Sequence, residues 1–392
     1  MTILEHEPCA TTTATETATS FPTVLLDVDD RRVEVPALWL LACSTEPFDL
    51  DPSSRQRVHD PAEVDPLLGV VAQRIVGHEL HVDFSDGRVR RFDSAELARR
   101  AVLADPEAPP TPVPWATPRD LASIDWVDVE AGDPERLRRV LDGLHRVGCF
   151  TIHGAPTEPG SLHDIAARFG RVSGTNFGTL FDVESLPRPV DLAYSAAGLA
   201  AHTDQPYRRP TPGLQFLHTL CNDAPGGEST VVDGLAGVIA LRAADPDGFA
   251  ALCELEVEFR YDIGTDVVVH RAPVIELDRH GDLRQLRFSP RVDTPPLALP
   301  VVSAAWFRAR RWLAEWFADP AHRMEFKMVA GDVLVVDNHR LLHGRRPFDP
   351  SIGRRHLQGC YIDHDGPATM WRLLDRQLHG MEPTHDRRTR PR

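Results

Sequence analysis

No apolar run in this chain approaches the roughly 20 residues needed to cross a bilayer, which argues against a membrane-spanning segment. The first 20 residues lack the basic and apolar regions of a secretory signal. They are rich in Thr and Ala, carry three Glu, and read as a disordered leader. Cysteine is scarce, with six in 392 residues at positions 9, 43, 149, 221, 253 and 360. None forms a pair with metal-ligand spacing such as Cys-x-x-Cys, and the chain is too long for a disulfide scaffold, so free thiols in a reducing, cytoplasmic compartment are expected. Positive charge is also in deficit: 43 Lys and Arg face 58 Asp and Glu, a formal net charge of -15. Such a surface repels phosphate backbones, so nucleic acid is not an expected partner, and the lack of a spanning run speaks against a membrane one.

A length of 392 residues exceeds what one core usually supports and predicts a large domain with a smaller one. Residues 21–103 read as the small, strand-rich unit. Strands are expected at Val24–Val28 and Arg32–Val35 around Asp29-Asp30. Leu80, Val82 and Phe84 alternate with polar residues before an Asp86-Gly87 turn. Ser94 is the expected cap of a helix over 95–103. Residues 104–118 hold six prolines and read as an extended linker. Residues 119–382 form the large domain, and 383–392 a basic, disordered tail.

In the large domain, Leu137, Val140, Leu141 and Leu144 line one face of a helix over 134–145. A second helix is expected over 161–169, capped by Ser161 and ended by Gly170. Short strands follow at 149–152, 214–220, 230–232, 256–259, 267–270 and 333–337, with one long helix at 304–318. This pattern predicts a double-sheet or barrel β fold with helices outside.

Three clusters carry chemistry. In an extended strand, residues i and i+2 share a face, so His202 and Asp204 can present an imidazole and a carboxylate to one ion. The run Asp337-Asn338-His339-Arg340-Leu341-Leu342-His343 follows a buried strand. His343 would complete a two-His, one-carboxylate set with three open positions, as iron(II) oxygenases require; His339 is the rival ligand. Arg355, or its neighbour Arg354, lies about a dozen residues further on. A guanidinium there can bind the distal carboxylate of a keto acid bidentately. Elsewhere, Gly226-Gly227 reads as a turn and Cys360 as a buried thiol. His218 reads as a satisfied interior histidine, and Arg345 and Arg346 as solvated or paired with acids.

With these motifs, the chain resembles the γ-butyrobetaine dioxygenase and trimethyllysine dioxygenase branch of the taurine dioxygenase superfamily. The resemblance spans about residues 21–380. It rests on His202-Thr203-Asp204, on Pro-Gly-Leu-Gln at 212–215 and on Gly-Gly-Glu-Ser at 226–229. Asp-Asn-His-Arg-Leu-Leu-His-Gly-Arg-Arg at 337–346 and Arg-His-Leu-Gln-Gly-Cys-Tyr at 355–361 extend it. It implies a double-stranded β-helix (jelly-roll) domain, mainly β with flanking helices, behind a small α+β domain, in a homodimer. It implies iron(II) on His202, Asp204 and His343, 2-oxoglutarate on Arg355, dioxygen as oxidant and ascorbate as reductant. The implied reaction couples conversion of 2-oxoglutarate to succinate and CO2 with hydroxylation of a C–H bond.

The resemblance further implies an aromatic cage for a trimethylammonium group at Phe177, Phe181, Tyr194 and Tyr361. A quaternary ammonium has no N–H to donate, so π faces recognise it. Three departures stand out. Phe177 and Phe181 occupy positions where Tyr and Trp are usual. Trp39-Leu40 is followed by Cys43 alone, with Thr45 and Phe48 at the later ligand positions, so no zinc is expected in the small domain. Arg287-Phe288-Ser289-Pro290-Arg291 replaces an Asn-rich segment, and Arg291 offers a cation for the acidic end of a substrate. Two alternatives stay open. One is the same chemistry, hydroxylation or desaturation, on a sulfonate, phosphonate, amino acid or secondary metabolite. The other is a non-catalytic jelly-roll binding protein.

Overall fold

The structure is a computed structural model that describes residues 22–28, 31–101, 108–184 and 196–379. The chain divides into two compact units, Met1–Ala108 and Pro109–Arg392. The leader, the tail and Tyr194 lie outside the described residues.

In the first unit, β1 (Thr23–Val28) and β2 (Arg31–Pro36) form a hairpin, followed by α1 (Ala37–Ala42). A three-stranded antiparallel sheet comprises β3 (Val70–Val76), β4 (Glu79–Phe84) and β5 (Val89–Asp93). The alternation in β4 buries Leu80, Val82 and Phe84 on one face, as period-two patterning requires. The helix α2 (Ser94–Ala101) is capped from Asp93, whose Oδ1 accepts from Glu96 N at 2.8 Å. Ser94, the expected cap, is instead the first helical residue, because the Asp93 carboxylate already takes the free amide.

The second unit opens with β6 (Ala122–Asp125), α3 (Trp126–Ala131), α4 (Pro134–Val147), β7 (Cys149–His153) and α5 (Ser161–Ala167). Asp133 caps α4, and Gly148 ends it with φ 94°. The α5 helix departs from expectation: Gly160 is its N-cap, and the Ser161 hydroxyl donates to Pro156 O at 2.8 Å. Next come β8 (Phe181–Glu184), β9 (Leu199–His202), β10 (Leu214–Asn222) and β11 (Ser229–Asp233). Two helices that short apolar runs concealed follow, α6 (Gly234–Ala244) and α7 (Pro246–Glu254). Asp233 and Asp245 cap them, so the turn residues carried the missed signal. Then come β12 (Glu256–Asp262), β13 (Val267–Pro273), β14 (Ile275–Leu277), β15 (Leu283–Leu286), β16 (Asp293–Thr294) and α8 (Pro300–Ala318). The chain finishes with β17 (Arg323–Phe326), β18 (Val333–Asp337), β19 (Leu341–Arg345), β20 (Arg355–Ile362) and α9 (Asp365–Leu378). At 19 residues α8 is the longest helix described in this half, and it starts at Pro300, earlier than expected.

Two sheets build the double-stranded β-helix. The larger has the order β6-β7-β18-β10-β20-β8, and the smaller β17-β11-β19-β9. Along β10, Leu214 and Phe216 point into one core with α4, α5 and α9, while Gln215 and Leu217 point to the opposite face. That opposite face is where the site forms. A second core gathers α6, α7 and α8 around Trp306, Leu313 and Phe317. Burying each such side chain contributes about 1.5–3 kcal/mol.

His218 is interior as expected, with no exposed surface, but neither ring nitrogen has a partner among the described residues. Burial pushes its pKa down to about 4. The unfolded chain, with an ordinary histidine near 6.5, takes up the proton first as pH falls. The folded state therefore loses stability between about pH 6.5 and 4 and gains nothing above it. His218→Leu should raise the melting temperature more at pH 5 than at pH 7.5, as read by thermal denaturation at both.

Candidate metal and substrate site

The site begins with a strand register. In the β9–β19 pair, His202 stands directly opposite His343. Opposed residues of an antiparallel pair have Cβ atoms about 4.5–5.5 Å apart, and the two rings meet at 4.5 Å between centroids. Asp204 brings Oδ1 to 3.3 Å from His202 Nε2 and 3.7 Å from His343 Nε2. Among the described residues this is the one group of three or more side chains with metal-ligating atoms, all within 4.8 Å of one another.

Asp204 does not share a strand with His202, as i and i+2 spacing suggested, because β9 ends at His202. The loop is fixed by other means. Asn338 is fully buried, accepts from Asp204 N at 2.6 Å and donates to the carbonyls of Asp204 and Pro212. Thr203 N donates to Phe288 O, and Phe288 N returns a bond to the Thr203 hydroxyl. Gln205 takes up a left-handed φ of 49° just beyond.

The donor set fits a metal. His202 Nδ1 donates to Ala200 O at 2.9 Å, which leaves the Nε2 lone pair facing the site. Burial pushes the His343 pKa down to about 4, so its imidazole is neutral at physiological pH. Burial alone would raise the Asp204 carboxyl, but His343, His202 and the Tyr361 hydroxyl outweigh it and hold it well below the usual range. An ionised carboxylate oxygen converging with two imidazole nitrogens, buried and free of cationic partners other than histidine, is a facial N,N,O set suited to iron(II).

The turn between β18 and β19 delivers His343. Its anchor is Arg340, which binds Asp233 through Nε at 3.0 Å and Nη2 at 2.8 Å and also donates to the carbonyls of Arg146 and Val113. His339, the rival ligand, turns away: its Nε2 lies 3.1 Å from Thr211 O, and its ring meets His364 at 4.6 Å.

Beside these three side chains opens a cleft. Period-two alternation supplies its walls: Phe181 and Val183, Gln215 and Leu217, Arg355, Leu357 and Tyr361 from the larger sheet, His343 and Arg345 from the smaller. Arg355 is 6% exposed; its Nε has no hydrogen-bond partner among the described residues, and its guanidinium lies 5.6 Å from the Phe348 ring. Burial, with Arg345 adding, lowers its pKa to about 9, so it remains a cation at neutral pH. A buried, unpaired cation costs several kcal/mol unless an anion joins it. Arg354, the rival, is exposed and occupied by Glu184 at 2.8 Å. Arg345 is buried and lines the cleft, contrary to the solvated reading.

The chain matches the model of the taurine catabolism dioxygenase TauD/TfdA family over residues 108–361, more than half its length. The chain belongs to this family. It is a dioxygenase working with iron(II) and 2-oxoglutarate. A γ-butyrobetaine dioxygenase of Pseudomonas sp. (strain AK-1) is 38% identical over 278 residues, 71% of this chain and 71% of that protein. Dioxygenase str8 of Strobilurus tenacellus is 29% identical over 86% of this chain and 83% of its own. Among solved structures, an asparagine oxygenase aligns over 60% of this chain and 83% of that one, with TM-score 0.47 and 19% identity.

In this TauD/TfdA dioxygenase, the aromatic residues form one continuous wall. Tyr207 stacks on Tyr261 at 5.1 Å, Tyr261 meets Phe177 at 5.5 Å, Phe177 meets Phe181 at 6.2 Å, and Phe181 stacks on Tyr361 at 5.3 Å. The chain has only four tyrosines; three line the cleft, and the fourth is Tyr194. That scarcity was a signal available in the sequence for Tyr207 and Tyr261, which sequence reasoning missed. Gln215 and Asn338 were missed as well; both lie inside stretches that carry the family resemblance. Arg291 lines the cleft with Ser289, whereas Arg287 binds Glu276 and Gln285.

The anchor of the His343 turn makes a direct prediction. Asp233 is fully buried, so Arg340→Ala strands its charge and should cost about 3–5 kcal/mol of stability. Urea denaturation of the metal-free protein measures this.

Proposed function

We propose that this dioxygenase hydroxylates a C–H bond of a small quaternary ammonium compound of the γ-butyrobetaine kind. The observation that carries the reading is the wall of Phe177, Phe181, Tyr207, Tyr261 and Tyr361 in the cleft that holds His202, Asp204 and His343. An alkylated ammonium is attracted by ring faces within about 6 Å and needs no hydrogen-bond acceptor. The 38% identical relative, named a γ-butyrobetaine dioxygenase, supports the same substrate class.

In this reading His202, Asp204 and His343 hold iron(II), and Arg355 takes the distal carboxylate of 2-oxoglutarate. Iron(II) with 2-oxoglutarate and dioxygen supplies the oxidising power, and 2-oxoglutarate leaves as succinate and CO2. The chain supplies position. The aromatic wall fixes the ammonium end of the substrate, Arg291 and Ser289 take its acidic end, and the C–H bond between them faces the metal side of the cleft. Leu199, Leu217 and Leu357 keep that face apolar. All of these residues lie within 119–382, to which we assign the chemistry; we assign no zinc to the small unit. A cytoplasmic homodimer completes the reading. The five described cysteines are free thiols, which suits a reducing compartment, and the dimer rests on the family resemblance.

Arg291 and the str8 relative favour a second reading, the same chemistry on another anionic metabolite. Succinate release separates the two. It should require iron(II), 2-oxoglutarate and γ-butyrobetaine together, and no stimulation by any betaine would exclude the first reading. Arg355→Ala should raise the 2-oxoglutarate concentration needed by ~10–100-fold, the loss of a charge-assisted pair, and leave metal binding intact in a calorimetric titration.

A further inference from the structure

Tyr361 belongs to two structures at once. Its ring closes the aromatic wall, stacked on Phe181 at 5.3 Å and 28°. Gly359 makes room for that stack, since a Cβ there would stand 2.3 Å from the Phe181 ring. Its hydroxyl, however, points away from the wall and donates to Asp204 Oδ2 at 2.7 Å. Gln215, one strand over on β10 and paired in register with Tyr361, donates its amide to the same oxygen. Gln205 donates to the Tyr361 oxygen at 3.4 Å, which leaves the hydroxyl proton for the carboxylate.

The two donors occupy Oδ2 and leave Oδ1 as the oxygen nearest both histidines. We propose that Tyr361 and Gln215 are positioning residues for the metal: they restrict Asp204 to one coordinating oxygen. Tyr361 thereby ties the metal ligand to the wall on which the substrate's ammonium rests. Ring and hydroxyl do separate jobs. The hydroxyl serves the metal, and only the ring serves the substrate.

The metal half rests on the iron site proposed above and the ring half on the proposed substrate, so the test has two arms. The first titrates manganese(II), a redox-inert probe, into the full-length protein by calorimetry. Tyr361→Phe and Gln215→Leu should each weaken manganese(II) binding about 10–100-fold. Phe181→Leu should leave that affinity unchanged. The second arm titrates γ-butyrobetaine into the manganese(II)- and 2-oxoglutarate-loaded protein. Tyr361→Phe, saturated with metal, should bind it as the unmodified protein does, and Phe181→Leu should bind it more weakly. Circular dichroism confirms that each variant is folded, and Tyr361→Phe keeps the ring volume. Wild-type manganese(II) affinity in both Tyr361→Phe and Gln215→Leu would overturn the positioning role. Weakened betaine binding by metal-saturated Tyr361→Phe would overturn the division of labour. An unmodified protein that binds no manganese(II) removes the metal reading and this one with it. One that binds manganese(II) but no betaine fails the substrate reading alone, and the first arm still decides the positioning role.

Discussion

The architecture of the site depends on the antiparallel register that sets His202 of β9 against His343 of β19. A slip of one residue would turn one imidazole to the far face of the sheet, because side chains alternate along a strand. Much of the surrounding structure guards that register. Gly344 permits β9 and β19 to approach, since a Cβ there would lie 2.6 Å from Leu199 O. Arg340 and Asp233 pin the preceding turn, and Asn338 ties the Asp204 loop to the same turn. The third ligand is thus held by the segment that delivers the second.

The same alternation sorts the larger sheet into two chemistries. Residues with one parity on β10 and β20 pack the helical core, and those with the other parity carry Gln215, Arg355 and Tyr361 into the cleft. Arg355 and the wall of rings then line the same cleft as His202, Asp204 and His343.

Strands with strong patterning were legible: Val333–Asp337 is an unbroken apolar run ending in Asp, and β4 of the small unit alternates cleanly. The site strands β8, β9, β19 and β20 were not expected as strands, because their mixed polar and apolar residues serve the cleft and carry no clean period. The α6 and α7 helices were not legible, because Gly-Leu-Ala-Gly-Val-Ile-Ala-Leu has no polar face from which to count a helical period; even the residue it leaves half-exposed, Ile239, is apolar. Ser94 and Ser161 were misread as caps because a serine before an apolar run is ambiguous until the neighbouring carboxylate or glycine is located in space. His218 was expected to be satisfied, and only the packing around β10 shows that it is not.

The sequence by itself determined the candidate set, His202, Asp204, His343 and the arginine pair, and the strongly patterned strands, since these follow from residue type, spacing and local periodicity. Only the tertiary structure shows that His202, Asp204 and His343 converge while His339 turns to Thr211, and that Arg355 lines the cleft while Arg354 pairs with Glu184. It also brought Tyr207 and Tyr261 to the wall. Those choices depend on which face of a strand meets the cleft and on what lies across it, and residues more than a hundred positions apart decide that.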